Sequence, residues 1–120
     1  MNVFQEALRA VADRVEGTRA VSLVGVDGIA IDSYVAAGDV PLESLAAETG
    51  AIVKAAQASS AMTDHDTLAQ LTVASGRATT ILCRVTEEYY LLLWLAQDGN
   101  FGRGRFELRK AASALEKELL

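Results

Sequence analysis

The segment Tyr89–Ala96 is apolar along its whole length and constrains the fold of this 120-residue chain more than any other feature. Its length suits a strand rather than a helix, and neither of its faces carries a charged side chain. A strand of this kind lies in the middle of a sheet that is covered above and below. The sequence therefore predicts a sheet with helices packed on both of its faces.

The spacing of apolar residues predicts the remaining elements. Helical spacing indicates three helices, which begin near Asn2, Pro41 and Phe106, and the second of them is expected to reach Met62. Two-residue alternation predicts four more strands, at Arg19–Gly25, Ile29–Val35, Thr67–Ser75 and Ala78–Val85. The glycine-rich segment Asp98–Gly104 is expected to be a loop before the last helix.

Short connections between the strands predict the topology. Asp27-Gly28 is a strong hairpin signal, because glycine adopts positive φ at little cost. The other sequential strand pairs are also separated by tight turns, which favours a mainly antiparallel sheet. The predicted fold is an α/β (α+β) three-layer sandwich in the order α-β-β-α-β-β-β-α. Its central sheet has five strands, with the terminal helices on one face and the Pro41 helix on the other, and residues 1–120 form a single domain.

Composition argues against several functional classes. The net charge of −5 disfavours general nucleic-acid binding, which needs a basic surface. No apolar run approaches the roughly 20 residues of a membrane span, and the N-terminal residues do not resemble a secretory signal. A single cysteine, Cys83, excludes an internal disulfide framework. We therefore expect a cytoplasmic protein without nucleic-acid or membrane partners.

Three sequence features contain residue types that often carry chemistry, and none of them forms a recognisable site. Asp64-His65-Asp66 places adjacent side chains on a loop, where they rarely converge on one ion, and the chain has no second histidine. Cys83 falls within a predicted strand and is expected to be a buried thiol. Gly99–Arg105 matches neither the P-loop nor the dinucleotide-binding spacing. We expect no catalytic, cofactor-binding or metal-binding residues, and thus no enzyme.

The predicted helix Pro41–Met62 has an unusual outer face. One stripe has the apolar spacing of a core-facing surface: Leu42, Leu45, Thr49, Ile52, Val53 and Ala56. The opposite face carries mainly small, uncharged side chains: Ser44, Ala47, Ala51, Ala55, Ala58 and Met62. Small side chains allow another surface to approach closely, which favours an interaction protein. The alternative is that these alanines are good helix formers on an ordinary surface.

Three segments together resemble the Roadblock/dynein light chain family. They are the hairpin Val21–Ile31, the alanine-rich central helix, and Tyr90–Leu93 followed by Gly99–Arg109. The resemblance covers essentially the whole chain and implies a Roadblock-type domain of profilin-like architecture. Within that family, the chain resembles the bacterial MglB-like regulators of small GTPases.

The resemblance also implies partners. A homodimer, or a heterodimer with a Roadblock paralogue, would form when the strand after the central helix pairs with its twin, which assigns Leu68, Gln70 and Thr72 to the dimer contact. A small Ras-like GTPase of the MglA type would bind the paired central helices, either to be held there or to have its GTP hydrolysis stimulated. The residues assigned to this contact are Ala47, Ala51, Lys54, Ala55, Ala58 and Met62. The family does not require an inserted arginine finger, so Arg103 and Arg105 are not assigned that role.

A second hypothesis is a small-ligand sensor domain with the same profilin-like fold. In such domains a ligand can lie between the sheet and a helix. The residues expected to line that space are apolar and offer few of the polar groups that a ligand site needs: Ile52, Ile81, Leu91 and Leu93. An enclosed pocket with convergent polar groups would favour this alternative.

Overall fold

The computed structural model describes residues 2–59 and 67–119. The predicted order of elements is confirmed. The helices are α1 (Val3–Arg14), α2 (Leu42–Ser59) and α3 (Phe101–Leu119). The strands are β1 (Thr18–Gly25), β2 (Ala30–Val35), β3 (Gln70–Ala74), β4 (Ala78–Arg84) and β5 (Tyr89–Ala96). Within these residues, no helix is both long and apolar enough to cross a membrane.

The five strands form one antiparallel sheet in the order β2-β1-β5-β4-β3. β5 is the central strand, as its apolar sequence predicts. Leu91, Leu93 and Leu95 pack in one core together with α1 and α3. Tyr90 and Leu92 pack on the opposite face in a second core with α2. The three-layer sandwich is therefore confirmed, with β2 and β3 as the two edge strands.

A buried carboxylate on α3 is paired with two half-exposed cations, one of which belongs to α1. Glu107 is 1% exposed, and its carboxylate lies 3.0 Å from Lys110 Nζ and 3.6 Å from an Arg14 guanidinium nitrogen. A buried carboxylate is costly unless cations compensate it, so this arrangement favours one relative placement of the two helices.

The helix α3 begins earlier than predicted. The expected loop over Asp98–Gly104 is wrong beyond Asn100, whose side-chain oxygen accepts a hydrogen bond from Arg103 N at 3.0 Å and caps the helix. A Cβ on Gly104 would lie 2.9 Å from Leu93 Cδ2. The glycine that suggested a loop instead lets α3 pack closely on the sheet.

The helix α2 is seated on the β1–β2 hairpin. The turn spans residues 26–29, longer than the two-residue turn that Asp27-Gly28 indicated, and Gly28 has φ of +86°. A Cβ on Gly50 would lie 2.9 Å from the Gly28 backbone, so helix and turn are in close contact. The buried stripe of α2 is accordingly shifted from the predicted one and includes Ala46 and Gly50 beside Thr49 and Val53.

Candidate interaction surface

The edge strand β3 has backbone groups available for another strand. Ala69 O accepts a hydrogen bond from Arg84 N, and Ser75 N donates one to Ala78 O, each at 2.9 Å. Because antiparallel pairs alternate between bonded and non-bonded positions, these two bonds fix the pattern along the strand. The N–H and C=O groups of Gln70, Thr72 and Ala74 therefore point away from β4. Within the described residues, these outward groups have no hydrogen-bond partner.

The side chains of Gln70 and Thr72 share the α3 face of the sheet. They lie opposite Cys83 and Ile81 and are both half-buried. Arg105 Nε donates a hydrogen bond to Gln70 Oε1 at 3.0 Å, which orients that amide beside the edge. The structure thus brings together two of the three residues that the sequence assigned to a dimer contact.

Leu68, the third assigned residue, lies before the start of β3. Its N–H donates to Gln57 Oε1 at 2.9 Å, and its C=O accepts a hydrogen bond from the Tyr90 hydroxyl at 3.0 Å. Its side chain packs against the core under α2, on the face opposite Gln70 and Thr72. The backbone of Leu68 is therefore already hydrogen-bonded, and β3 is shorter than the predicted strand Thr67–Ser75.

The outer face of α2 is exposed. Five of the residues that the sequence assigned to partner binding lie together on it: Ala47, Ala51, Lys54, Ala55 and Ala58. At about 1.5 Å per residue, the alanines extend along roughly 16 Å of helix. Glu43 and Glu48 are exposed at its flanks. The sixth assigned residue, Met62, lies outside the described residues, as do Asp64, His65 and Asp66.

A groove separates α2 from the β3 side of the sheet. Its volume is about 350 Å³, and its lining includes Leu45, Ile52, Val73 and Trp94, with Glu48 near the rim. Val73 is 39% exposed although it lies in a strand. The sequence pattern did not predict this groove. An apolar residue on the α2 face of an edge strand was the only signal for it.

A second cleft lies on the opposite face of the sheet, between β4 and α3. It measures about 450 Å³ and is lined in part by Cys83, Arg84, Arg109 and Glu116. Burial raises the pKa of the Cys83 thiol, while the Gln70 side chain and the Arg109 charge act in the opposite direction. The described residues contain no group of three or more His, Cys, Asp or Glu side chains placed to hold a metal ion.

The lining predicted for a ligand sensor is not assembled. Ile81, Leu91 and Leu93 are fully buried in the core under α1 and α3. Ile52 belongs to the other face, where it lines the groove beside α2. These four residues therefore lie in two separate layers and do not form one pocket between the sheet and a helix.

Residues 4–94 match the family model of the Roadblock/LC7 domain. The chain belongs to this family. Among solved structures, the Roadblock domain is similar to MglC from Myxococcus xanthus, with 30% identity, a TM-score of 0.70, and coverage of 96% of this chain and 98% of MglC. It is also similar to an MglB with a tetrameric arrangement, with a TM-score of 0.86, 20% identity, and coverage of 94% and 85%.

A more distant likeness confirms the profilin-like architecture. Profilin II from Acanthamoeba castellanii aligns at a TM-score of 0.59 and 15% identity, over 97% of this chain and 95% of the profilin. No curated protein sequence is significantly similar to the Roadblock domain. The family and its MglB and MglC neighbours support a regulatory or scaffolding role.

Proposed function

We propose that this Roadblock domain is a homodimeric regulator or scaffold that binds a small Ras-like GTPase of the MglA type on its paired α2 helices. The observation that carries the proposal is the open edge of β3, which lies beside a groove and an exposed alanine face on the same side of the molecule. The MglB and MglC neighbours support it, since one of those structures is an oligomer.

The dimer would form by antiparallel pairing of two β3 strands. Gln70, Thr72 and Ala74 present alternate outward N–H and C=O groups, so a two-fold axis near Thr72 lets the same residues on each copy satisfy one another. An unpaired regular edge is otherwise a site of uncontrolled association. Pairing would join two five-stranded sheets into one continuous sheet.

The groove beside β3 favours the same arrangement. Val73 and Ile52 expose apolar surface in the groove next to the edge, on the face that carries α2. A twin strand added at β3 brings the twin's α2 to that side. The small side chains of Ala47, Ala51 and Ala55 permit close approach of the two helices.

The GTPase would bind the outer faces of the two helices. Lys54 and Glu48 flank the alanines and provide charges that can set the orientation of a partner. Arg103 and Arg105 are on α3, which packs on the opposite face of the sheet from α2. Any stimulation of GTP hydrolysis would therefore come from ordering the GTPase's own residues and not from an inserted arginine.

Binding to the small GTPases of the same genome tests the partner. Each GTPase is titrated with the Roadblock domain by calorimetry, in its GDP form and with a non-hydrolysable GTP analogue. We expect one of them to bind in a nucleotide-dependent manner. Absence of binding for every GTPase in both states would contradict the proposal.

A matched pair of substitutions locates the contact. Ala55→Arg places a long cation in the middle of the α2 face and should abolish GTPase binding or loosen the dimer, with an unchanged circular dichroism spectrum. Ala114→Arg makes the same change at an exposed site on α3 and should leave binding and assembly intact. Equal behaviour of the two variants would show that the alanine face is an ordinary surface.

A further inference from the structure

The second edge strand, β2, has its central outward groups occupied. Ala36 N donates to Arg19 O at 2.7 Å. Because bonded and non-bonded positions alternate along an antiparallel pair, the N–H and C=O of Ser33 point away from β1. Ser33 N donates instead to Asp32 Oδ1 at 2.9 Å. Ser33 O accepts a hydrogen bond from Gln5 Nε2, also at 2.9 Å. An incoming strand would find both groups of Ser33 already bonded.

The same two side chains bond to each other. Gln5 Nε2 also donates to Asp32 Oδ1, so Gln5 bridges the backbone and the side chain of β2. Gln5 belongs to the first turn of α1, where its own N–H is held by the capping Asn2 side chain at 2.9 Å. Helix α1 thus reaches across the outside of the strand, and the pair Gln5–Asp32 forms a clasp on this edge.

A bulge adds to the effect of the clasp. The register shifts so that Leu23 pairs with Asp32 and Val24 pairs with Ala30, which leaves Ile31 without a partner on β1. A bulged strand bends and twists, which makes regular pairing with another strand harder. Regular β3 has no such shift.

The exposed side chains of β2 explain why an edge of this kind needs protection. Ile31 and Val35 are 49% and 43% exposed, and Ile29 at the hairpin end is 64% exposed. An open strand edge flanked by exposed β-branched residues favours addition of another strand. With both edges open, each copy could pair with another copy at either edge of its sheet. Association would then continue without forming a closed oligomer.

We propose that the Gln5–Asp32 clasp closes the β2 edge against strand pairing with a second copy of this chain. The clasp acts by occupying the groups of Ser33 that an added strand would need. The inference concerns β2 alone and does not depend on whether β3 forms the proposed dimer.

Substitution of Gln5 tests the clasp directly. Gln5→Glu replaces the donor by a carboxylate beside Asp32 and should open the edge. Sedimentation over a wide concentration range should then show a mass that rises above that of the wild type. Glu6→Ala, an exposed neighbour on α1, is the matched control and should behave as the wild type. A wild-type mass for a folded Gln5→Glu at every concentration would overturn the proposal.

Asp32 provides a rescue experiment that separates the clasp from mere destabilisation. Asp32→Asn keeps a side-chain oxygen that can accept from Ser33 N, so this variant should retain the wild-type mass. Asp32→Ala removes the acceptor and should raise both the mass and, at low concentration, the exchange rate of the Ser33 amide. Similar behaviour of the two Asp32 variants would contradict the assigned role.

A variant with a weakened β3 edge distinguishes this inference from the proposed function. Thr72→Pro removes the central outward N–H of β3, so pairing at that edge is weakened. If the wild type is a β3 dimer, Thr72→Pro should be a monomer at concentrations at which the wild type is still a dimer, and Thr72→Pro with Gln5→Glu should associate there again through β2. If the wild type is a monomer, the dimer proposal fails, whereas Gln5→Glu alone should still raise the mass.

Discussion

The two edges of the sheet differ in what meets their outward backbone groups. At β3 the groups of Gln70, Thr72 and Ala74 have no partner within the described residues, and the register is regular. At β2 the groups of Ser33 are bonded to Gln5 and Asp32, and a bulge interrupts the register. The difference between the two edges therefore lies in a few side-chain contacts and one bulge, and not in their position in the sheet.

The two edges also differ in how they relate to α2. On the β2 side, Gly50 contacts the Gly28 backbone so closely that a Cβ would clash. On the β3 side, the groove of about 350 Å³ separates the helix from Val73. The helix is therefore anchored at the closed edge and stands away from the open one, where a twin would approach.

The largest expected effect comes from Thr72→Pro. The Thr72 N–H points away from β4, so proline removes no bond within the chain and is tolerated at such an edge position. At the proposed two-fold axis it removes the central bonds and should weaken the dimer by about 3 kcal/mol, or roughly a hundredfold in dissociation constant. Analytical ultracentrifugation measures this change.

Two control variants separate loss of the outward N–H from other effects of substitution in β3. Thr72→Val keeps the N–H and should leave the dissociation constant nearly unchanged. Val73→Pro removes a bond to Thr80 and should lower the stability of the fold itself. If Thr72→Pro assembles as the wild type does, β3 is not the pairing edge.

A smaller effect is expected where α2 is anchored. Gly50→Ala places a Cβ about 2.9 Å from the Gly28 backbone and should destabilise the fold by about 1–3 kcal/mol, because backbone cannot move aside cheaply. Gly102→Ala, at a helical glycine with open space, should instead stabilise by up to about 1 kcal/mol. Chemical denaturation compares the two. A stable Gly50→Ala would show that the anchor is not close-packed.

The smallest effect concerns Cys83, which lies opposite Gln70 under the β3 edge. Because burial raises its pKa in the folded state, the thiol favours folding while it is protonated. Stability from this group is complete below the ordinary thiol pKa and declines as pH rises toward the higher folded value. The decline should be weaker in Cys83→Ala, as measured by denaturation across alkaline pH. Identical profiles of stability against pH for the wild type and Cys83→Ala would contradict this prediction.

The sequence could predict the layers of the fold better than its edges. Tyr89–Ala96 is apolar on both faces and was correctly placed at the centre, since only a covered strand tolerates that pattern. The beginning of α3 was missed because Gly102 and Gly104 suggest a loop, and only the close contact of Gly104 with Leu93 explains the glycine.

The candidate site, like the fold, could be predicted from the sequence only in part. The exposed alanine face of α2 was predicted from helical periodicity, and the resemblance to the family assigned Gln70 and Thr72 to a dimer contact. Local pattern could not show that Leu68 bonds to Gln57 and Tyr90, or that Gln5 meets Asp32, because these contacts depend on how distant segments pack.

Amide hydrogen exchange of the wild-type protein over a dilution series distinguishes an open β3 edge from a closed β2 edge. We expect the Thr72 amide to be protected at high concentration and to lose its protection on dilution, as a β3–β3 pair dissociates. The Ser33 amide should exchange at one rate throughout, because its partner belongs to the same chain. A concentration-independent Thr72 amide, or a Ser33 amide whose protection follows concentration, would contradict the account of one open and one closed edge.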